Sequence, residues 1–252
     1  MTNEDMPNLG FFLKFIEPQY LDDFLKGHVH FSSLYYFNEV ERNGNSIIGD
    51  DSEGAYTQNL TNATAYLQIE GDPKIYEFPV SHAISRYDMS EEDKNHYGIA
   101  SFFYLTKQDF VEHSHSENQR IYVLKKEVID YFRTFNTDKR VPVIIYTDPF
   151  IDLLKKQNTP NTCGKVHYYD DDDPAEFAGL SQMDNFYDTI PFLKRKRYSD
   201  QKEFRVCVVL DKGTETSRGE EFELGDMSNM ALPLKFIGNQ HLAIVVDYSS
   251  EK

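Results

Sequence analysis

The chain has 252 residues, 40% of them hydrophobic and 14% aromatic, enough apolar material for one sizeable core. Its 42 acidic residues outweigh 26 basic ones, and the net charge of -16 excludes a broad basic face for duplex phosphates, leaving only local nucleic-acid contacts. Two cysteines, Cys163 and Cys207, at no motif spacing, fit free thiols in a reducing compartment. The start, MTNEDMPNLG, lacks the basic and apolar regions of a signal peptide, and no apolar run approaches the ~18 residues of a membrane span. One cytoplasmic domain over residues 1–252, with no membrane association, is the expectation.

In chain order, LGFFLKF (9–15) reads as an aromatic strand. Pro18 then opens a helix whose Tyr20, Leu21, Phe24 and Leu25 fall at helical spacing and which stops at Gly27. In HVHFSS (28–33), Val29 and Phe31 alternate with His28 and His30 as in a half-buried strand. SLYYFNEVE predicts a helical turn, with Ser32 and Ser33 as N-cap candidates and Tyr35, Tyr36 and Phe37 as core candidates. RNGNSIIGDDSEG (42–54) has the composition of a long exposed loop, in which Asp50, Asp51 and Glu53 are expected to be solvated.

Strands follow at 57–69 and 74–80, a hairpin turning at Gly71-Asp72-Pro73, and at 98–106. Residues 123–135 predict an amphipathic helix, VPVIIYT a buried strand, and DPFIDLLKKQ a helix capped by Asp148 with Pro149 at its first position. CGKVHYYD reads as one strand ending in the acidic run Asp170–Asp173, a solvated turn. The last third offers strands at 204–210, near 221–224 and at 241–248. The fold class is therefore α+β: a single domain of split, mostly antiparallel sheets with short helices.

One segment carries chemistry. Residues 191–205, PFLKRKRYSDQKEFR, set Lys194, Arg195, Lys196, Arg197 and Lys202 beside Gln201 and Glu203, so a local anion site is expected in an otherwise acidic chain. At a strand mouth, side chains two apart point the same way, which directs Gln201 and Glu203 at one ligand while Phe204 and Val206 face the core. The same residues also suit a salt-bridged strand entrance, with Glu203 paired to Arg205 or Lys202. No loop has the glycine and lysine spacing of a phosphate cradle, and neither HVH nor HSH comes with partners at a metal spacing. No resident metal is expected.

The combination FLKF, LDDFLKGHVHFSSLYYFNEVE and GDDSEG near the start with GKVHYY and FLKRKRYSDQKEFRV near the end resembles a broad family of little-characterised bacterial and phage proteins found near mobile and defence elements. A second resemblance rests on the order of a strand with a polar residue, a helix, a strand ending in FSS, and QKE before a buried strand. That order is similar to the ADP-ribosyltransferase arrangement. It implies an ADP-ribosyltransferase-like core with NAD as substrate: Lys14, Ser32, Ser33, Tyr36 and Arg205 at the cofactor, Glu203 as the carboxylate that stabilises an oxocarbenium-like sugar, and Gln201 as the group that positions the acceptor. Lys14 stands where that superfamily has Arg or His, and FSS where it has Ser-Thr-Ser.

The implied activity is transfer of ADP-ribose to a macromolecule, protein or nucleic acid, by a toxin or phage-defence effector. An antitoxin or a phage or host protein is the implied partner. Two other readings stand beside it. One is a non-catalytic acidic protein that binds a basic partner. The other is a metal-dependent nuclease using Asp50, Asp51, Glu53 and Glu203.

Overall fold

The computed structural model describes residues 10–44, 50–116, 118–134, 139–157, 161–173, 186–210, 219–234 and 243–247. Within them the chain is α+β, with several mostly antiparallel sheets and short helices. No helix among these residues is long and apolar enough to cross a membrane.

The first half runs β1 (Phe11–Ile16), α1 (Leu21–Leu25), β2 (His28–Ser33), α2 (Leu34–Arg42), β3 (Ala55–Gln68), β4 (Ile75–Asp88), α3 (Glu91–His96) and β5 (Tyr97–Leu105). Next come β6 (Phe110–His115), β7 (Gln119–Leu124), α4 (Lys126–Arg133), β8 (Val141–Tyr146), α5 (Thr147–Lys155), β9 (Asn161–Lys165) and β10 (His167–Tyr169). The last third holds α6 (Phe186–Thr189), β11 (Leu193–Arg195), β12 (Glu203–Val209), β13 (Gly219–Glu223), β14 (Ala231–Pro233) and β15 (Ala243–Asp247).

Strand β5 organises the eight-stranded main sheet. Along one edge it pairs with β12 from Glu203↔Phe103 to Val209↔Tyr97, and β12 carries β9 on its far side. The other edge is shared. Residues 103–105 pair with β1, whereas Ile99 and Gly98 pair with Ser32 and Ser33 of β2. Strands β8 and β14 continue outward from β1, and β13 from β2. The sheet therefore forks on β5, and Ala100, Ser101 and Phe102 lie in the crotch with neither branch paired to them.

Alternation along each strand builds a core on both faces. One face gathers Phe12, Phe31, Phe102, Phe204 and Val206 with Phe150 and Leu154 of α5, and the Phe12 and Phe204 rings lie 4.4 Å apart. The other gathers Leu13, Leu105, Phe110, Tyr122 and Leu124 under Val128 and Phe132 of α4. Burying side chains of this size stabilises by roughly 1.5–3 kcal/mol each, so the branches are held firmly apart by their packing as well as their hydrogen bonds.

Several expectations change. Residues 119–124 form a strand, and the helix expected from 123 begins at Lys126, because Tyr122 and Leu124 alternate into the core before helical spacing sets in. Tyr146 occupies the N-cap position of α5 without a side-chain cap bond, so Asp148 lies in the first turn. CGKVHYYD is two strands: β9 pairs with β12 and β10 runs parallel to β11, with Val166 between them. Strand β4 continues to Asp88, making a hairpin of two 14-residue strands. Residues 45–49 of the expected loop, and residues 241, 242 and 248 of the expected last strand, lie outside the described residues.

Candidate functional site

The crotch of the fork opens into a cleft of about 590 Å³. Its lining includes Lys14 of β1, His30 and Ser32 of β2, Tyr36 of α2, Ser101 of β5, and Gln201, Glu203 and Arg205 around the start of β12. Of the residues that the ADP-ribosyltransferase resemblance implies, only Ser33 is missing. Its hydroxyl accepts from the Tyr36 amide at 3.1 Å and caps α2, and the residue is fully buried.

Lys14 is not on an edge strand. Strand β1 is held between β5 and β8, and Lys14 alternates with Leu13 onto the face of Phe12 and Ile16. Its ammonium donates to the Ser101 carbonyl at 2.9 Å and lies 4.7 Å from the centre of the Phe102 ring. A side chain thus supplies the donor that a paired strand would have given this carbonyl. Burial lowers the Lys14 pKa to about 8, opposed by the negative charge of Glu203 and reinforced by Arg140.

Glu203 stands on the opposite face from Phe204, with its oxygens fully engaged. Oε1 accepts from Lys194 Nζ at 2.7 Å, and Oε2 accepts from Arg205 Nε at 2.7 Å and from the Ser101 hydroxyl at 3.0 Å. Burial acts to raise its pKa, but the charges of Arg205 and Lys194 outweigh that and hold the carboxyl well below the usual carboxylate range. Glu203 is therefore a buried carboxylate that stays ionised.

The same two cations hold a second carboxylate. Arg205 grips Glu53 with both terminal nitrogens, NH1 at 2.9 Å and NH2 at 2.5 Å, and Lys194 lies 3.3 Å from it. The Pro191 carbonyl takes a further bond from Arg205 NH1 at 2.5 Å. Glu53, Glu203, Lys194 and Arg205 thus form a closed quartet in which each cation touches both carboxylates. Although burial favours the neutral forms, the carboxylates keep both Lys194 and Arg205 above their ordinary pKa. Arg205, 0% exposed, is committed to this quartet and holds Glu203 in place rather than reaching into the cleft itself.

The GDDSEG loop is thus no solvated loop at its second half. Asp50 and Glu53 are each 1% exposed. The Ser52 amide donates to Asp50 Oδ1 at 2.9 Å, the Glu53 amide to the Asp50 carbonyl at 3.1 Å, and buried Asn38 of α2 donates to the carbonyls of Asp50 and Glu53. Burial, and then the charge of Glu53, raise the Asp50 pKa to about 6, against the pull of Lys194 and Arg195 and the Ser52 amide bond. Only Asp51 of the three expected acids is exposed.

The five cations expected to form an anion site each pair with carboxylates of the fold, Lys194 buried, Arg195 partly buried, and Lys196, Arg197 and Lys202 at the surface. Lys194 serves the quartet, Arg195 pairs with Asp51 and Asp50, Lys196 with Asp170, Arg197 with Glu41 and Asp51, and Lys202 with Asp109. They fasten the late segment to the acidic loops. The strand-mouth geometry also differs from expectation. Gln201 ends a 3-10 helix and Lys202 is left-handed (φ 44°), so β12 begins only at Glu203. Strand alternation therefore does not align Gln201 with Glu203. Both nonetheless line the cleft, with Gln201 hydrogen-bonded to Tyr131 of α4.

Sequence reasoning missed Ser101, Lys194 as the quartet's second cation, Asn38 and Arg140. Ser101 had a signal: a lone serine inside the apolar strand GIASFFYL. Compared with protein-family models, curated proteins and solved structures, the chain matches none of them.

Proposed function

We propose that the cleft binds NAD and that the protein transfers ADP-ribose from it to a macromolecular acceptor, acting in the cytoplasm as a toxin or phage-defence effector. What carries this reading is the convergence at one fork of Lys14, Ser32, Tyr36, Gln201 and Glu203 from distant parts of the chain, around a carboxylate held ionised despite burial. Loss of nicotinamide breaks the bond between its ring nitrogen and C1′ of the ribose, the electron pair leaving with nicotinamide. Positive charge then develops on C1′ and the ring oxygen. A fixed carboxylate in a site shielded from water stabilises that charge without reorganising. Glu203 supplies it, Ser101 and Arg205 fix its direction, Lys14 offers a cation to the pyrophosphate, and Tyr36 an aromatic face. The acceptor nucleophile then attacks C1′ and gives up its proton to water, with Gln201 orienting it.

A second reading is favoured by the engagement of both Glu203 oxygens: the quartet braces the wall of a cleft that binds a ligand and does no chemistry on it. The nuclease reading lacks such support: Lys194 and Arg205 stand between Glu53 and Glu203, and Asp50 and Asp51, whose carboxylates gather with Glu41, are already paired with Arg195 and Arg197.

The deciding experiment measures melting temperature with and without NAD, and release of nicotinamide, for the wild type and Glu203→Gln. NAD stabilises the wild type, since a ligand specific to the native state raises its stability. The folded variant should lose nicotinamide release by orders of magnitude. Wild-type stabilisation without turnover selects the binding reading. Neither stabilisation nor turnover overturns NAD as the ligand.

A further inference from the structure

The β3–β4 hairpin is a separate two-stranded sheet whose strands pair from Ala55↔Asp88 to Gln68↔Ile75. Its base is covered: the Thr57 amide donates to the Tyr169 hydroxyl and the Asn59 amide to the Asp171 carbonyl. Beyond Asn59 the outer edge of β3 has no strand partner among the described residues. Past a left-handed Asn62 (φ 55°), the stretch Ala63–Gln68 is a regular edge about 20 Å long at ~3.3 Å per residue. Near the tip, Tyr66, Leu67, Ile69, Ile75 and Phe78 are all exposed, Tyr66 at 67%. An isolated two-stranded ribbon is marginally stable in water, and an open edge is a template for another strand.

The two edges are not equivalent. Strand β4 is guarded by Glu77, Pro79, Arg86 and Asp88, and proline offers no amide hydrogen. From Ala55 to Ile69, in contrast, there is no charged residue, no proline and no glycine, and this stretch falls within the longest run free of Asp, Glu, Lys and Arg in the chain. We infer that β3 pairs edge to edge with β3 of a second copy of this chain, about a two-fold axis, giving a four-stranded sheet across the dimer.

The charge pattern selects the second copy. About a two-fold axis a surface meets itself, so any carboxylate near the axis faces its own kind, and like charges opposite one another destabilise a sheet. In a chain of net charge -16, an uncharged edge is what self-pairing requires. Glu70 and Asp72, before and within the turn at the arm's tip, oppose insertion of that tip into a membrane.

The test is the molar mass of the full chain by light scattering and sedimentation from low to high micromolar concentration. Wild type runs as two chains. Thr64→Lys and Ala65→Lys, at exposed positions, bring like charges onto the paired edge and run as one chain, whose melting temperature, unlike that of the wild type, does not rise with protein concentration. Mixing Ala65→Lys with Ala65→Glu restores two chains. A wild type that stays a monomer throughout, whether or not it captures another protein, overturns the proposal. So do lysine variants that remain dimeric.

Discussion

Glu53 and Arg205 lie 152 positions apart in the chain and meet in a bidentate ion pair, the carboxylate 1% and the guanidinium 0% exposed. Arg205→Met removes the cation and leaves Glu53 and Glu203 facing each other with Lys194 alone between them. Breaking a buried pair in this way costs on the order of 3–5 kcal/mol. Urea denaturation measures it. The double variant Glu53→Met/Arg205→Met should lose less than the two single losses combined, because neither leaves the other's partner stranded.

The two serines at the end of β2 have separable roles. Ser33→Ala removes the α2 cap and should cost about 1 kcal/mol of stability while leaving ligand affinity nearly unchanged. Ser32→Ala, at the cleft, should leave the melting temperature nearly unchanged and weaken the NAD-induced thermal shift. Calorimetry of both variants side by side checks the pair, and the reverse pattern would overturn the assignment.

Asp50 gives the fold a pH dependence of definite sign. Its folded-state pKa, raised to about 6, lies above the ordinary carboxyl value, so the stability it contributes is fully present at low pH and is lost as pH rises through about 6. Asp50→Asn keeps an acceptor for the Ser52 amide but carries no charge. The stability of Asp50→Asn relative to wild type should therefore climb between about pH 4 and 6 and level off above 7, by on the order of 3 kcal/mol at most. Denaturant midpoints across that range measure it.

Lys14 acts in the alkaline range. With its pKa lowered to about 8, the folded protein disfavours the charged amine, so stability falls as pH drops from the ordinary lysine value through about 8. Lys14→Met lacks this term. The stability of wild type relative to Lys14→Met should rise as pH climbs from about 8 towards the ordinary lysine value, and a flat difference would mean that the amine does not titrate there.

The parts legible in the sequence were those set by local pattern. HVHFSS alternates as a half-buried strand must, and Gly71-Asp72-Pro73 marks the hairpin turn that the structure shows. The apolar run after Glu203 reads as a buried strand and is one. The quartet was not legible. GDDSEG and KRKR each carry the composition of solvated segments, and only their meeting across more than a hundred residues pairs their charges and buries Asp50, Glu53 and Lys194. Local periodicity also fails where backbone geometry changes: the left-handed Lys202 breaks the alternation expected between Gln201 and Glu203.

The forked sheet has a consequence for how this cleft can evolve. Its two walls are set by hydrogen-bond ladders, Leu13↔Phe103 ending on one side and Ser32↔Ile99 starting on the other. Ladder positions change only in whole residues, and a slip of one would turn every core side chain of that branch to the wrong face. The opening is thus a stepped aperture, whose span resists gradual adjustment. New specificity would have to come from exchanging the side chains that project into it, with the width of the gap left as inherited.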